Sequence, residues 1–290
     1  LKKTSSFQGP KFNMDLSSLN NAGIPVIPRA VLANYTTFKL GGPCKALLEC
    51  RNARQMTLAV TALRQQNIPF VVMGFGSNIL ASDTGVDSVV VRYTSDTPAI
   101  SRDQHILTVD AATQLDALAE YAVTAGLEGM TTFSGIPGTI GGAIAGNAGA
   151  YGTQISDYII AITLLNPDNA IVTLPRSSIH FEYRDSDIKH NGAIILSATF
   201  KLSTGGRGEM QAKRIETILT RENKHGRWQD CPSAGSFFRN VEPTSKAGPR
   251  QSAGWFIEQS AAHMLRIGSA HSYAKHANII TIDKGASAQD

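Results

Sequence analysis

Apolar positions along this chain follow two periods. Runs that are continuously apolar or alternate with polar residues predict strands over 45–50, 68–73, 88–93, 104–110, 158–165, 170–174, 193–201 and 279–282. Apolar residues at helical spacing predict helices over 53–66, 115–125, 209–222 and 255–262, the second stopped by Gly126. The 68–73 strand is apolar throughout and runs straight into Gly74-Phe75-Gly76-Ser77-Asn78, and Asp83-Thr84-Gly85 is a turn. Residues 1–28 carry Gly9-Pro10, Pro25 and Pro28, lack periodicity and read as a partly irregular lead-in. Helices and strands therefore mix without a strict repeat, and Thr204-Gly205-Gly206-Arg207-Gly208 is the best domain boundary.

Composition narrows this picture. With 42% apolar and 17% charged residues over 290 positions, the chain can bury a sizeable core and is not a disordered sequence. No apolar run approaches the roughly 20 residues that span a bilayer, so a membrane protein is not expected. The net charge is +4, but residues 201–250 alone hold ten basic and five acidic side chains. That stretch suits an anionic ligand or is a solvated basic surface. Basic runs with interleaved aromatics are lacking, so a nucleic-acid partner is not expected. Cys44, Cys50 and Cys231 have no CxxC spacing and leave an odd thiol, which fits a reducing, cytoplasmic compartment. No apolar leader follows Leu1-Lys2-Lys3, so no signal peptide is read, and both ends are possible cut points in a longer chain.

Two glycine-rich segments carry the candidate chemistry. In the first, Gly74, Phe75, Gly76, Ser77, Asn78 and Ile79, glycines at a strand end allow backbone N–H groups to converge on an anion, or simply make a turn. Ile79 stands where a GxGxxG fingerprint needs glycine, so this is not the Rossmann motif. The second spans 134–152 and holds seven of the 26 glycines. So many small residues suggest backbone lying flat against a large ligand, or close packing of two elements. Together the two loops suggest a dinucleotide-sized ligand. His271 and His276 lie five apart with no HExxH or paired CxxC, so no metal site is expected. Ser236 is not in a GxSxG elbow, and it and Arg184 would alone read as a turn serine and a surface arginine.

Taken in order, these pieces resemble the UDP-N-acetylenolpyruvoylglucosamine reductase family. The residues that carry the resemblance are Asn34-Tyr35-Thr36-Thr37-Phe38-Lys39-Leu40-Gly41-Gly42-Pro43, the 74–78 and 135–152 segments, Tyr183-Arg184-Asp185-Ser186, the 232–240 segment, Ala253-Gly254-Trp255-Phe256-Ile257-Glu258-Gln259 and Lys275-His276-Ala277-Asn278. They run collinearly over most of 29–290. The resemblance implies an α+β chain with a two-part FAD-binding domain of the vanillyl-alcohol-oxidase (PCMH) type over 29–203 and a C-terminal α+β substrate domain over 204–290. Arg184 and Ser236 lie 52 residues apart, like the shorter branch of the family, although Trp255 is more like the other branch.

The implied activity is reduction of UDP-N-acetylglucosamine enolpyruvate to UDP-N-acetylmuramate by NADPH through noncovalent FAD, in peptidoglycan synthesis and hence cell shape and division. FAD would contact the 74–79 loop and Gly135, Ile136, Pro137, Gly138, Gly141, Gly142, Asn147, Ala148 and Gly149. Hydride addition to the β carbon of an enol ether conjugated to a carboxylate places negative charge on the α carbon and carboxylate. By the resemblance Arg184 stabilises that charge and Ser236 protonates the α carbon, while Tyr151, Tyr183 and Asn240, with Lys224 and Arg227 at the diphosphate, hold the sugar nucleotide. A monomer is expected. The family's catalytic glutamate follows a final helix that would begin near Asp290, so the chain is expected to be truncated there or to lack that acid. A noncatalytic flavin or UDP-sugar module, and a flavin oxidase of the same superfold, are the alternatives.

Overall fold

The computed structural model describes residues 16–242 and 251–290; Gly9-Pro10 of the lead-in lies outside them. The described part of the lead-in is ordered rather than irregular. Ser17–Asn21 is a short helix, Leu19 and Ile24 are buried, and Val26–Pro28 pairs antiparallel with Cys44–Cys50, Val26 opposite Leu48. Apolar residues at 16, 19, 24 and 26 pack there despite the prolines.

The first lobe is a four-stranded sheet in the order Val26–Pro28, Cys44–Cys50, Val86–Tyr93, Phe70–Met73, its last three strands parallel. Helix Ala53–Gln65 connects Cys44–Cys50 to Phe70–Met73, and is capped at its start by the Asn52 side chain, which accepts the Gln55 N–H. Alternation along Cys44–Cys50 sends Leu48 and Cys50 into the main core and Leu47 into a smaller cluster on the other face. Phe70–Met73 lies at the sheet edge, so its apolar run is only half used: Val71 and Val72 are exposed while Met73 is buried.

The second lobe is a five-stranded antiparallel sheet in the order Ile171–Pro175, Ile159–Leu165, Ile194–Lys201, Ile106–Asp110, Ile100–Asp103. Helix Leu115–Thr124 buries Leu115, Leu118, Ala119, Ala122 and Val123. One core joins the lobes, with Leu48, Met56 and Val91 from the first and Leu107, Leu118, Ile162 and Phe200 from the second. Then helix Arg207–His225 leads to a three-stranded antiparallel sheet, Arg266–Ile267, Ala270–Tyr273 and His276–Ile282.

A carboxylate pins the lobes together. Asp110 Oδ2 accepts the Ala53 N–H at 2.9 Å, and Oδ1 accepts the Tyr93 hydroxyl and the Ala112 N–H, each at 2.8 Å. Ala53 opens a helix whose first N–H groups lack intrahelical partners, so the negative charge is well placed. Burial, with the adjacent Asp110 charge, pushes the Tyr93 phenol well above its ordinary range and keeps it a donor. Asp110→Ala would strand the Ala53 N–H and part of the Tyr93 bonding, and should lower the unfolding free energy by about 2–4 kcal/mol in urea denaturation.

Candidate active site

The 74–78 loop leaves Phe70–Met73 at its C-terminal end and meets the second glycine segment directly. A Cβ on Gly74 would lie 2.5 Å from Thr139 Oγ1, and the Ser77 hydroxyl donates to the Pro137 carbonyl at 2.8 Å. Gly76 has φ +74°, and a Cβ there would lie 2.3 Å from the Tyr35 carbonyl oxygen, so only glycine fits this turn. The two loops thus form facing walls, with Gly138 beside Ser77. Phe75 packs edge-on against Trp228, over which Lys39 also sits, while Ile79 packs on the smaller core cluster.

Between Pro137 and Gly149 the chain is not flat backbone throughout. Ile140–Ala145 is a helix, capped by Thr139, whose hydroxyl accepts the Gly142 N–H at 3.3 Å. Close packing explains Gly141, where a Cβ would lie 3.3 Å from that of Ala111, and Ile136 and Ala148 pack on the core. Gly142 stays open, with only the capping hydroxyl near it, and Gly149 closes a small hairpin opposite Gln154. Asn147 is 2% exposed, and its amide donates to Gln154 Oε1 at 2.7 Å and to the Glu182 carbonyl at 2.9 Å. Its Oδ1 and the Ser134 hydroxyl are buried without a partner in the structure. Two orphaned polar atoms beside a glycine cradle fit a large polar ligand such as a dinucleotide.

A cationic and aromatic wall stands next to these loops. Arg184 has φ +61°, and Asn147 and Tyr151 are also left-handed, strain that clusters at functional sites. Arg239 steadies that turn, its Nη2 donating to the carbonyls of Tyr183 at 2.9 Å and Arg184 at 3.2 Å. The Arg184 and Arg239 guanidinium carbons both lie within 6 Å of the Tyr183 ring centre, at 5.6 and 5.9 Å, and the Asn240 N–H donates to the Tyr183 hydroxyl at 3.4 Å. Arg221 lies over the Tyr151 ring at 5.8 Å and donates to the Ser134 and Thr132 carbonyls. Burial lowers the Arg221 pKa; Tyr151 and Asp116 oppose the fall, and the like charge of Arg184 adds to it. Ser236 is exposed on the segment that ends in Arg239 and Asn240. Arg227 instead forms exposed ion pairs with Glu222 and Asp230, at 3.9 and 3.8 Å.

Helix Arg207–His225 contributes Arg221 to this wall. Arg214, 7% exposed, binds both Asp116 oxygens, at 2.5 and 3.0 Å, and Asp116 also accepts the Gly135 N–H at 2.7 Å. At the C-terminal end of the helix, His225 packs edge-on against His276 with ring centres 5.1 Å apart. Burial, then the positive neighbours His276, Arg221 and Lys224, push His225 down to about 4. Burial and Lys224 also lower His276, against the opposing charge of Glu258.

Several of these residues escaped sequence reasoning. Arg214 and Arg221 fall on the buried side of an amphipathic helix, where cations are not sought. Thr37 and Asn278 lay inside the quoted motifs, but without a role. Their signal was a polar residue among apolar neighbours, and it is ambiguous without a partner in view.

The class follows from this site and from comparison with known sequences. An "FAD binding domain" family model matches residues 44–175, which contain both glycine loops, so the chain is a flavoprotein built on the PCMH-type domain. The model "UDP-N-acetylenolpyruvoylglucosamine reductase, C-terminal domain" matches 224–290. A reductase of that name from Solibacter usitatus is 33% identical over 276 residues, covering 89% of this chain and 87% of its own. One from Lactobacillus johnsonii is 33% identical over 278 residues, covering 96% and 89%. The crystal structure of the Thermus caldophilus reductase superposes with a TM-score of 0.76 at 29% identity, covering 92% and 91%. The chain belongs to the UDP-N-acetylenolpyruvoylglucosamine reductase family.

Two outcomes test this geometry. Gly76→Ala should fold but lose most of its bound flavin, measured by absorbance of the purified protein. The lowered His225 and His276 values make the unfolded chain bind protons first as pH falls. Their contribution is then full above about 6.5 and is lost as pH falls, for His225 towards about 4. Urea midpoints should drop between pH 7.5 and 5, and His225→Gln should flatten that drop.

Proposed function

We propose that this chain is an NADPH-dependent, FAD-containing oxidoreductase that reduces UDP-N-acetylglucosamine enolpyruvate to UDP-N-acetylmuramate for peptidoglycan synthesis. The observation that carries the reading is Arg184, left-handed and braced by Arg239, on a cationic wall beside the cradle made by the 74–78 and 135–142 segments. Gly74, Gly76, Ser77, Asn78, Gly138, Gly142 and Asn147 would hold the cofactor noncovalently, and bound FAD supplies the two-electron centre between NADPH and the enol ether.

The protein's own residues do the rest. Arg184 presents a planar fork to the substrate carboxylate, and the negative charge that grows on the α carbon and carboxylate during reduction strengthens that contact. Arg221, half-buried behind Tyr151, deepens the positive field without spending its own hydrogen bonds, which stay on Ser134 and Thr132. The Ser236 hydroxyl passes its proton to the α carbon, so that CH2=C becomes CH3–CH. Tyr151, Tyr183 and Asn240 bind the sugar nucleotide, with Lys224 at the diphosphate, while Arg227 is ion-paired to Glu222 and Asp230. Two arginines on one wall suit a carboxylate substrate; oxidation of an uncharged alcohol would need neither.

Among the described residues no helix is long and apolar enough to cross a membrane, and the three cysteines are free thiols. These features support a cytoplasmic enzyme, and we read it as a monomer divided at 204.

An anaerobic spectral titration tests the reading. NADPH should bleach the flavin absorbance and the enolpyruvyl substrate should restore it; bleaching without recovery would sink the assignment of substrate. Arg184→Ala should slow the recovery about 10²–10³-fold in stopped flow, the usual cost of removing one such electrostatic donor, and leave bleaching largely intact.

A further inference from the structure

Ser236 lies in an exposed stretch with no regular element of its own, yet the backbone around it is held at every step. Upstream, the Thr37 hydroxyl donates to the Ser233 carbonyl at 2.8 Å. Ser236 itself bridges antiparallel to Ile279, and the Phe237 N–H donates to the Asn278 carbonyl at 2.9 Å. The Asn278 side chain then grips the next residue from both sides. Its Oδ1 accepts the Phe238 N–H at 2.8 Å, and its Nδ2 donates to the Phe238 carbonyl at 2.8 Å.

Asn278 is 3% exposed, and its own N–H donates to His276 Nδ1 at 3.3 Å. A short amide is suited to this task because it accepts and donates at once; a carboxylate has no donor to give, and a serine hydroxyl is too short to reach both groups. Asn278 therefore adds a side-chain rung just past the isolated bridge between Ser236 and Ile279, two residues beyond Ser236. Through His276, which packs on His225, the same grip is tied to the helix that carries Arg221.

We propose that Asn278 is the positioning residue for the Ser236 hydroxyl, fixing the backbone of the 236–238 stretch so that the hydroxyl faces the substrate. This rests on the reading of Ser236 as proton donor. The two half-reactions separate a positioning role from a structural one, because the proton is needed only when substrate is reduced.

In Asn278→Asp, bleaching of the flavin by NADPH should stay within about twofold of the parent, while recovery by the enolpyruvyl substrate slows about 10- to 100-fold, the scale of a misplacement near 1 Å. The solvent deuterium isotope effect on recovery should rise. Independently of turnover, the amides of Phe237 and Phe238 should exchange faster while the core amides keep their protection. Ser236→Ala/Asn278→Asp should recover no more slowly than Ser236→Ala alone, since a misplaced hydroxyl that is already absent costs nothing further. If Asn278→Asp melts early or loses flavin, the milder Asn278→Ser carries the same comparisons. Parent-like recovery in a variant whose Phe238 amide has become labile overturns the role, as does a double variant slowed by the product of the single effects. Parent-like recovery in Ser236→Ala overturns the proton-donor reading itself, and the positioning role with it.

Discussion

The contact on which the site depends is the one Asp110 makes between the lobes. Each lobe has a sheet of its own, and either could pack its apolar face in more than one way against a neighbour. A shared core of Leu, Val and Ile is non-directional, so it favours contact without choosing an angle. Asp110 chooses it. The carboxylate sits at the end of a strand in the second lobe and binds the first N–H of a helix and a tyrosine hydroxyl in the first. Those bonds tolerate little rotation, and with the lobes so fixed the Gly74 and Thr139 walls come within van der Waals reach.

A second polar link extends the same logic to the C-terminal part. Arg214 and Arg221 cross from the long helix to Asp116, Ser134 and Thr132, so the turn at Gly135 is bound by the element that also gives Arg221 to the cationic wall. Cofactor cradle and cationic wall are therefore not independent parts. A shift of this helix would move both, which is why a buried arginine is placed where a leucine would pack more cheaply.

The strain in the site follows from that rigidity. Arg184, Asn147 and Tyr151 hold backbone conformations that non-glycine residues seldom adopt, and two of them are offset by bonds from their surroundings: Arg239 on the Arg184 carbonyl, Gln154 and Glu182 on the Asn147 amide. On the proposed reading, groups held in advance would meet developing charge without reorganising.

Much of this was legible in the order of residues. Strand and helix periods placed most major elements within two or three residues, because an apolar stripe must face a core wherever that core is, but the strands Ile100–Asp103 and Ala270–Tyr273 were not read and the 255–262 helix stands at Ala253–Glu258. The glycine clusters pointed to a dinucleotide-sized ligand, and the collinear motifs to the family. Local pattern could not show that Val71 and Val72 would stand on a sheet edge, that 140–145 would coil into a helix among glycines, or that the lead-in would pair with Leu48. Those outcomes depend on which neighbour each segment meets. The same holds for Asp110, Arg221, Arg239 and Asn278, which bond to partners as far as 89 residues away in the chain. A sequence determines which residues are able to bond and which must be buried; only the folded chain decides who bonds to whom, since hydrogen bonds are directional and burial is not.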